Sequence, residues 1–443
     1  MLIKNKRFTL NSFQIIALGF FAVILIGALI LMLPISSKSG EFTPFVDSLF
    51  TATTSVCVTG LVVRDTGTYW SVFGQSVILI LIQIGGLGVI TVAASLTMLT
   101  GKKIGLGQRS TMQEAVAAPK VGGIVKLTNL VLKGTFLFEL IGALAMMPTF
   151  ISDFGAKGIW MSFFHSISAF CNAGIDLMGV NGKYSSMTGY SDNLIINITL
   201  MLLIIIGGIG FLTWEDIKNH KLRISHYRLQ SKIILTTSFA LILFPALFFF
   251  FYEYNNLPIK QRILYSLFQA VTPRTAGFNT TDLTAMSGVG RAIMIILMLI
   301  GGAPGSTAGG MKITTFALLI ASAFSVFRHK EDTEAFGRRI DNSIVRNASA
   351  ILILYLTMCF TGAAVISIAE SLPFTVSLFE TSSAVATVGL SLGITPSLGI
   401  LSKLILTFLM YAGRIGGLTL IFAAIVGTNK KLSKFPQEKI MVG

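Results

Sequence analysis

Charge is scarce in this sequence. Only 12% of its 443 residues are Asp, Glu, Lys or Arg, and 19 of those are acidic. Soluble domains carry roughly a quarter, so an ordinary soluble protein is excluded. Cysteine is almost absent. Cys57, Cys171 and Cys359 are an odd number without metal-ligand spacing, which rules out a disulfide framework and a zinc cluster. Four histidines, and no nucleophile placed with a partner base, give no support to an enzyme or to a covalent cofactor. A dinucleotide-binding fingerprint between a strand and a helix is also missing, because glycine-rich segments such as Gly85 to Gly88 lie inside apolar runs.

What the sequence does have is apolar length, with 53% hydrophobic residues and a mean hydropathy of +0.78. Uncharged runs long enough to cross a bilayer, about 20 residues, lie at Phe13 to Leu33, Val72 to Leu99, Leu194 to Thr213, Ile233 to Tyr252, Ala292 to Met311 and Asn347 to Ala369. Gly134 to Ile151 and Leu404 to Ile425 are each broken by one charge, Glu139 and Arg414. Eight spans are predicted, the first too long for a cleaved signal peptide. The net charge of +15 is distributed rather than clustered at random. Of 34 basic residues, 22 fall in the N-terminus, three alternate loops and the C-terminus, and eight on the opposite side. By the positive-inside rule both termini are cytoplasmic. The basic excess is a topology signal, not a nucleic-acid footprint.

An internal repeat organises the chain. Phe50 leads to Gly60, Phe164 to Gly174, Phe268 to Gly277 and Phe379 to Gly389, each Phe preceded two residues earlier by Ser48, Ser162, Ser266 or Ser377. Each copy reads as a span, a short polar segment and a second span, with boundaries at 1–100, 101–220, 221–330 and 331–443. The segments are too short to cross, so they dip in and return, with backbone buried in protein or facing water. Two spans per copy give four copies of one orientation, able to surround one axis. The expected fold is an all-α membrane protein of four parallel helix/pore-helix/helix repeats. The second spans carry glycines at 85–88, 207–210, 301–302 and 413–417, read equally as close packing or as lining of the axis. Only the third, with Gly301, Gly302, Pro304, Gly305, Ser306, Gly309 and Gly310, is predicted to break into an intramembrane loop.

After each short helix stand Val58-Thr59-Gly60, Asn172-Ala173-Gly174, Thr275-Ala276-Gly277 and Thr387-Val388-Gly389. Glycine accepts positive φ, which lets successive carbonyls point one way. Aimed at an axis, such carbonyls replace the water around a dehydrated cation. A short helix with its C-terminus towards the centre adds the negative end of its dipole. Asp65, Asp176 and Asp282 follow the glycines and are expected at an outer vestibule that concentrates cations.

With these motifs, Thr272 to Phe278 and Gly413-Arg414-Ile415-Gly416, the whole chain resembles the Trk/Ktr/HKT superfamily of potassium transporters, and within it the membrane subunit of bacterial Ktr systems, of KtrB or KtrD type. The resemblance implies K⁺ uptake through a carbonyl filter, K⁺ as transported ion with dependence on Na⁺ left open, a homodimer in the cell membrane, and control by a cytoplasmic nucleotide-binding ring of KtrA/KtrC type. It also implies a gate formed by the third-copy loop and Arg414. The basic loops either dock that ring or sit against anionic lipid. A Na⁺- or H⁺-coupled symporter is the alternative, and the lack of paired intramembrane acids weighs against it. The third segment runs nine residues from Phe268 to Gly277 where the others run ten, which leaves its carbonyl register open. Arg274 is expected to turn from the axis and pair with Glu380 or Asp47. Lys312 either anchors the loop, repels cations or snorkels to the interface. Glu139 and His165 read as packed, hydrogen-bonded residues.

Overall fold

A computed structural model describes residues 11–100, 104–118 and 120–424, with Glu438. Of the basic residues that set the predicted topology, Lys4, Lys6, Arg7, Lys102, Lys103, Lys430, Lys431, Lys434 and Lys439 lie outside the described residues.

Long apolar helices begin each quarter of the chain: α1 (Ser12–Met32), α7 (Ile124–Phe154), α11 (Leu229–Phe248, continued by a π turn) and α15 (Asn342–Glu370). Local chemistry sets their ends. Asn11 and Gln14 close a capping box on α1, and Pro34 follows its last turn. Each long helix leads into a short one, namely α2 (Phe45–Val56), α8 (Lys157–Phe170), α12 (Ile259–Val271) and α16 (Phe374–Val385). At 12 to 14 residues these reach roughly 18–21 Å, short of the ~30 Å hydrocarbon layer. Pro44, Pro258 and Pro373 precede three of them. The phenylalanines of the repeat, Phe50, Phe164, Phe268 and Phe379, are fully buried and tie the short helices into the core.

A short turn, α3 (Thr66–Tyr69), then leads to the second leg of the first quarter, which is a broken helix: α4 (Val72–Leu87) and α5 (Val89–Leu99). Helix α6 (Leu106–Ala115) joins it to the next quarter. There α9 (Leu194–Gly208) breaks into α10 (Phe211–His220). The third pair is α13 (Gly288–Leu299) and α14 (Ile313–Phe327), and the fourth is α17 (Ile400–Ile415) and α18 (Gly417–Ala424). The one sheet among the described residues is a hairpin, β1 (Thr333–Ala335) against β2 (Arg338–Ile340). The result is an all-α membrane protein.

The second legs depart from the sequence expectation. A break was predicted in the third only, yet all four are interrupted, and α4/α5 and α9/α10 bend by 94° and 96°. The cause is a shared backbone. Gly88, Gly210 and Gly416 take φ of +86°, +90° and +91° with ψ near +135°, outside the helical region and open chiefly to glycine. Three residues earlier, Gly85, Gly207 and Gly413 lie so close to the ends of the short helices that a Cβ would strike the carbonyls of Val56, Phe170 and Val385. Close packing and interruption thus use different glycines of one motif.

Candidate functional site

The four short helices end at one place. Beyond them Val58, Asn172, Thr275 and Thr387 take φ of +48°, +58°, +63° and +54°. For L residues this left-handed conformation costs about 1–2 kcal/mol each. Two residues on, Gly60, Gly174, Gly277 and Gly389 are also at positive φ, from +62° to +100°. Every second residue of each segment is therefore left-handed, the arrangement that turns successive carbonyls the same way.

Contacts between the segments close a ring. A Cβ on Gly60 would stand 2.6 Å from the Ala173 carbonyl oxygen; one on Gly174 would meet Ala276 O, one on Gly277 Val388 O, and one on Gly389 Thr59 O. Each glycine abuts the carbonyl that precedes the next glycine, and the fourth returns to the first. The segments are held from behind by their own helices. Thr59 N, Ala173 N and Val388 N donate to the carbonyls of Thr54, Ser168 and Ser383, each at 2.8 Å. Gly60 N and Gly389 N donate to the hydroxyls of Thr54 and Ser383 at 2.9 Å. In the third segment Ala276 N donates to Thr272 O, four residues back instead of five. One tighter turn absorbs the missing residue, and Gly277 keeps its place in the ring.

All four glycines line a cavity of about 280 Å³ on one side of the ring, together with Asp65 and Asp176. Asp65 is spoken for: Oδ1 accepts from Thr68 N and Oγ1, and Oδ2 from Tyr184 N at 2.8 Å. Asp176 accepts from Met178 N at 2.9 Å. Burial, with Asp65 nearby, raises the Asp176 carboxyl from the usual carboxylate range to about 6. Asp282, by contrast, is exposed, folds onto Thr284 N and Oγ1, and does not line this cavity.

Across the other face of the ring lies the segment from Gly301 to Met311. Its backbone is pinned from several quarters: Gly301 N donates to Met311 O (2.8 Å), Ala303 N to Gly208 O (2.9 Å), Thr307 N to Gly207 O (3.2 Å) and Phe211 N to Gly305 O (2.7 Å). Gly309 and Gly310 pass under the fourth segment, where a Cβ on Gly309 would strike the Thr387 hydroxyl and one on Gly310 would lie 2.7 Å from Ala386 O. Thr307 Oγ1 donates to Asn172 Oδ1 at 3.1 Å, and Asn172 Nδ2 donates to Arg274 O at the same distance. The amide of Asn172 so joins the loop to the second and third segments.

Arg414 occupies, in Gly413-Arg414-x-Gly416, the place of the second glycine in Gly85-Gly86-x-Gly88 and Gly207-Gly208-x-Gly210. Its guanidinium donates to Thr307 O and Gly85 O, and to Gly86 O at 3.3 Å. One side chain spans the first, third and fourth quarters beneath the ring. Lys312 caps the end of the loop, with Nζ 2.8 Å from Ala308 O and 3.4 Å from Gly309 O. Of the three roles weighed for it, anchoring fits these contacts. Below lies a cavity of about 350 Å³, lined by Gly86, Gly88, Pro304, Gly305, Lys312 and Arg414 among others.

Some expectations are corrected. Arg274 turns from the ring, but pairs with neither Glu380 nor Asp47. Its Nη2 donates to Ser238 Oγ at 2.8 Å, while Nε and Nη1 have no hydrogen-bond partner among the described residues. Both acids are already engaged: Asp47 with Arg64 (2.8 Å) and Lys403 (2.9 Å), and Glu380 with Ser391 and Thr395. His165 is hydrogen-bonded through both nitrogens, to Met161 O and from Leu177 N. Glu139 is buried, with Cys171 Sγ 3.9 Å from Oε1. The Asn172 side chain escaped notice in the sequence, because Asn-Ala-Gly was read there for its carbonyls alone. Its being the one amide among the four equivalent residues is the signal that marks it.

Comparison with known proteins places this architecture. The chain is 40% identical to the Ktr system potassium uptake protein B of Bacillus subtilis, covering 100% of this chain and 98% of the relative. It is 39% identical to the potassium/sodium uptake protein NtpJ of Enterococcus hirae, with 99% of both chains covered. Its fold matches the crystal structure of the potassium transporter TrkH from Vibrio parahaemolyticus with a TM-score of 0.74, at 17% identity, over 96% of this chain and 87% of that one. The TrkH family model, described as a cation transport protein, matches residues 4–434. By sequence over nearly its whole length, and in agreement with its fold, the chain belongs to the TrkH family of cation transport proteins.

Proposed function

We propose that this membrane protein carries out potassium uptake through the glycine ring. The observation that carries this reading is the closed circuit in which each glycine abuts the carbonyl of the next segment. Carbonyls so oriented substitute for the hydration shell of a dehydrated cation, and the four helix C-termini behind them bring the negative ends of their dipoles. The filter residues are then Val58, Thr59, Gly60, Asn172, Ala173, Gly174, Thr275, Ala276, Gly277, Thr387, Val388 and Gly389. The names of the two relatives, a potassium uptake protein and a potassium/sodium uptake protein, support K⁺ as cargo.

The loop from Gly301 to Gly310 is the gate in this reading, with Arg414 holding it closed beneath the filter. Four copies of one orientation surround the axis, with both termini cytoplasmic. Control by a cytoplasmic nucleotide-binding partner follows from the resemblance to Ktr systems, as does a homodimer; the two outer carboxylates, Asp65 and Asp176, form the vestibule. The chain is a conduit rather than an enzyme.

A symporter coupled to Na⁺ or H⁺ is the competing reading. Glu139 has a thiol beside it rather than a second carboxylate to exchange protons with. Reconstituted ⁸⁶Rb⁺ flux separates the two. Downhill flux that persists after Na⁺ and H⁺ gradients are collapsed is expected for a conduit. A fixed stoichiometry with either ion would establish coupling instead.

A further inference from the structure

A groove of about 700 Å³, whose lining includes none of the ring glycines, runs between α7 and the bent pair α9/α10. Its α7 wall presents Lys126, Leu130, Lys133 and Leu137, at spacings of four, three and four residues that place them on one helical face. The opposite wall carries Trp214 and Lys218. Among the described residues none of the three lysines makes a hydrogen bond or ion pair. The acid in the wall, Glu215, is neutralised by Arg228 at 2.6 Å. The groove therefore offers three uncompensated ammonium groups.

Its long axis crosses a boundary of polarity. The 31 residues of α7 span ~46 Å, more than the ~30 Å of hydrocarbon. From Gly134 to Ile151 the only charge is the buried Glu139, so Lys133 marks the edge of the apolar layer. Lys126 lies ~10 Å further out. Inside that edge Leu137 is 55% exposed, so whatever fills the groove is apolar at that end. At the other end it faces Lys126, Lys133 and Lys218. Trp214 sits at the boundary, 8% exposed, with its Nε1 donated to Ile206 O at 3.0 Å and its ring packed against Phe138, Phe170 and Phe211, so it is a fixed reporter beside the groove rather than part of the lipid-contacting surface.

We infer that this groove binds an anionic phospholipid, with the headgroup phosphate among Lys126, Lys133 and Lys218 and an acyl chain along Leu130 and Leu137. Charge complementarity and the apolar depth select this occupant. A soluble anion has nothing to place against Leu137, and a zwitterionic lipid leaves the three positive charges uncompensated. Basic groups at this depth each favour an anionic headgroup, and together they select it from the bulk bilayer.

The test uses the full-length protein in detergent micelles titrated with acyl-brominated phosphatidylglycerol or phosphatidylcholine, read by quenching of tryptophan fluorescence. Phosphatidylglycerol is expected to quench at about tenfold lower concentration, through a component that Trp214→Phe removes. Replacing Lys126, Lys133 and Lys218 together by Gln should abolish the preference, and replacing them by Arg should keep it. Replacing Lys221, Arg223 and Arg346 by Gln, cytoplasmic charges outside the groove, should leave it intact. Equal quenching by the two lipids, a preference that survives the triple Gln variant, or one lost equally in the control triple would overturn the assignment. Displacement by millimolar inorganic phosphate would too, since it would make the site one for a free anion.

Discussion

Deleting Pro304 to Gly310 is expected to raise ⁸⁶Rb⁺ flux through the reconstituted protein, without any cytoplasmic partner, by at least about tenfold. Tenfold corresponds to only ~1.4 kcal/mol. The deletion removes the Phe211–Gly305 and Thr307–Gly207 backbone bonds, the Thr307–Asn172 contact and the carbonyl that accepts from Arg414. It also uncovers the underside of the fourth segment, which Gly309 and Gly310 cover. A milder variant separates gating from misfolding. Arg414→Gln leaves every loop backbone bond and the Lys312 anchor in place while removing the donors that reach Thr307, Gly85 and Gly86 together. Flux should rise in the same direction by a smaller factor. Unaltered flux in both variants would remove the loop as the gate.

Gly60→Ser is expected to lower discrimination of K⁺ against Na⁺ by about tenfold, again ~1.4 kcal/mol, with total cation flux retained. The reason is double. Gly60 sits at φ +100°, and a Cβ there would lie 2.6 Å from Ala173 O, inside contact distance of backbone that cannot swing aside. The added side chain must push one carbonyl off the ring, and a filter with one displaced dipole no longer ranks ions by how well it replaces their hydration. Gly277→Ser, at φ +79° against Val388 O, should act alike. Gly40 gives the control. It too has positive φ, +73°, but a Cβ there meets nothing within 4 Å, so Gly40→Ser imposes strain alone and should leave the Rb⁺/Na⁺ flux ratio unchanged. Equal ratios in Gly60→Ser and the wild type would count against the filter.

Which parts of this arrangement were legible in the sequence follows from what each part is made of. Glycines 60, 174, 277 and 389 stand out because the chain repeats, and a repeat shows positions that one copy hides. The left-handed backbone at Val58, Asn172, Thr275 and Thr387 was not legible, since two of the four are Thr and one Val, β-branched residues for which that conformation is unfavourable; only the hydrogen bonds back to the short helices and the neighbouring segments impose it. The nine-residue third segment left its carbonyl register open because sequence spacing does not reveal that Ala276 N reaches four residues back rather than five. The breaks at Gly88, Gly210 and Gly416 were hidden by apolar runs that continue past them, the last interrupted only by Arg414; hydropathy reports depth in the membrane but not direction. The acid partner expected for Arg274 failed for a similar reason. Asp47 and Glu380 were available by composition, yet Arg64, Ser391 and Thr395 from the loops that follow the two short helices, and Lys403 from the far end of the chain, had taken them.

The central claim, that backbone carbonyls of four segments hold a dehydrated cation on one axis, is tested most directly by anomalous diffraction from crystals grown in Rb⁺. The account predicts an anomalous peak on the axis of the glycine ring, within direct coordination distance of carbonyls such as those of Thr59, Ala173, Ala276 and Val388, and no side-chain carboxylate in contact with it. Peaks confined to the Asp65 and Asp176 cavity, with the ring empty at saturating Rb⁺, would contradict it.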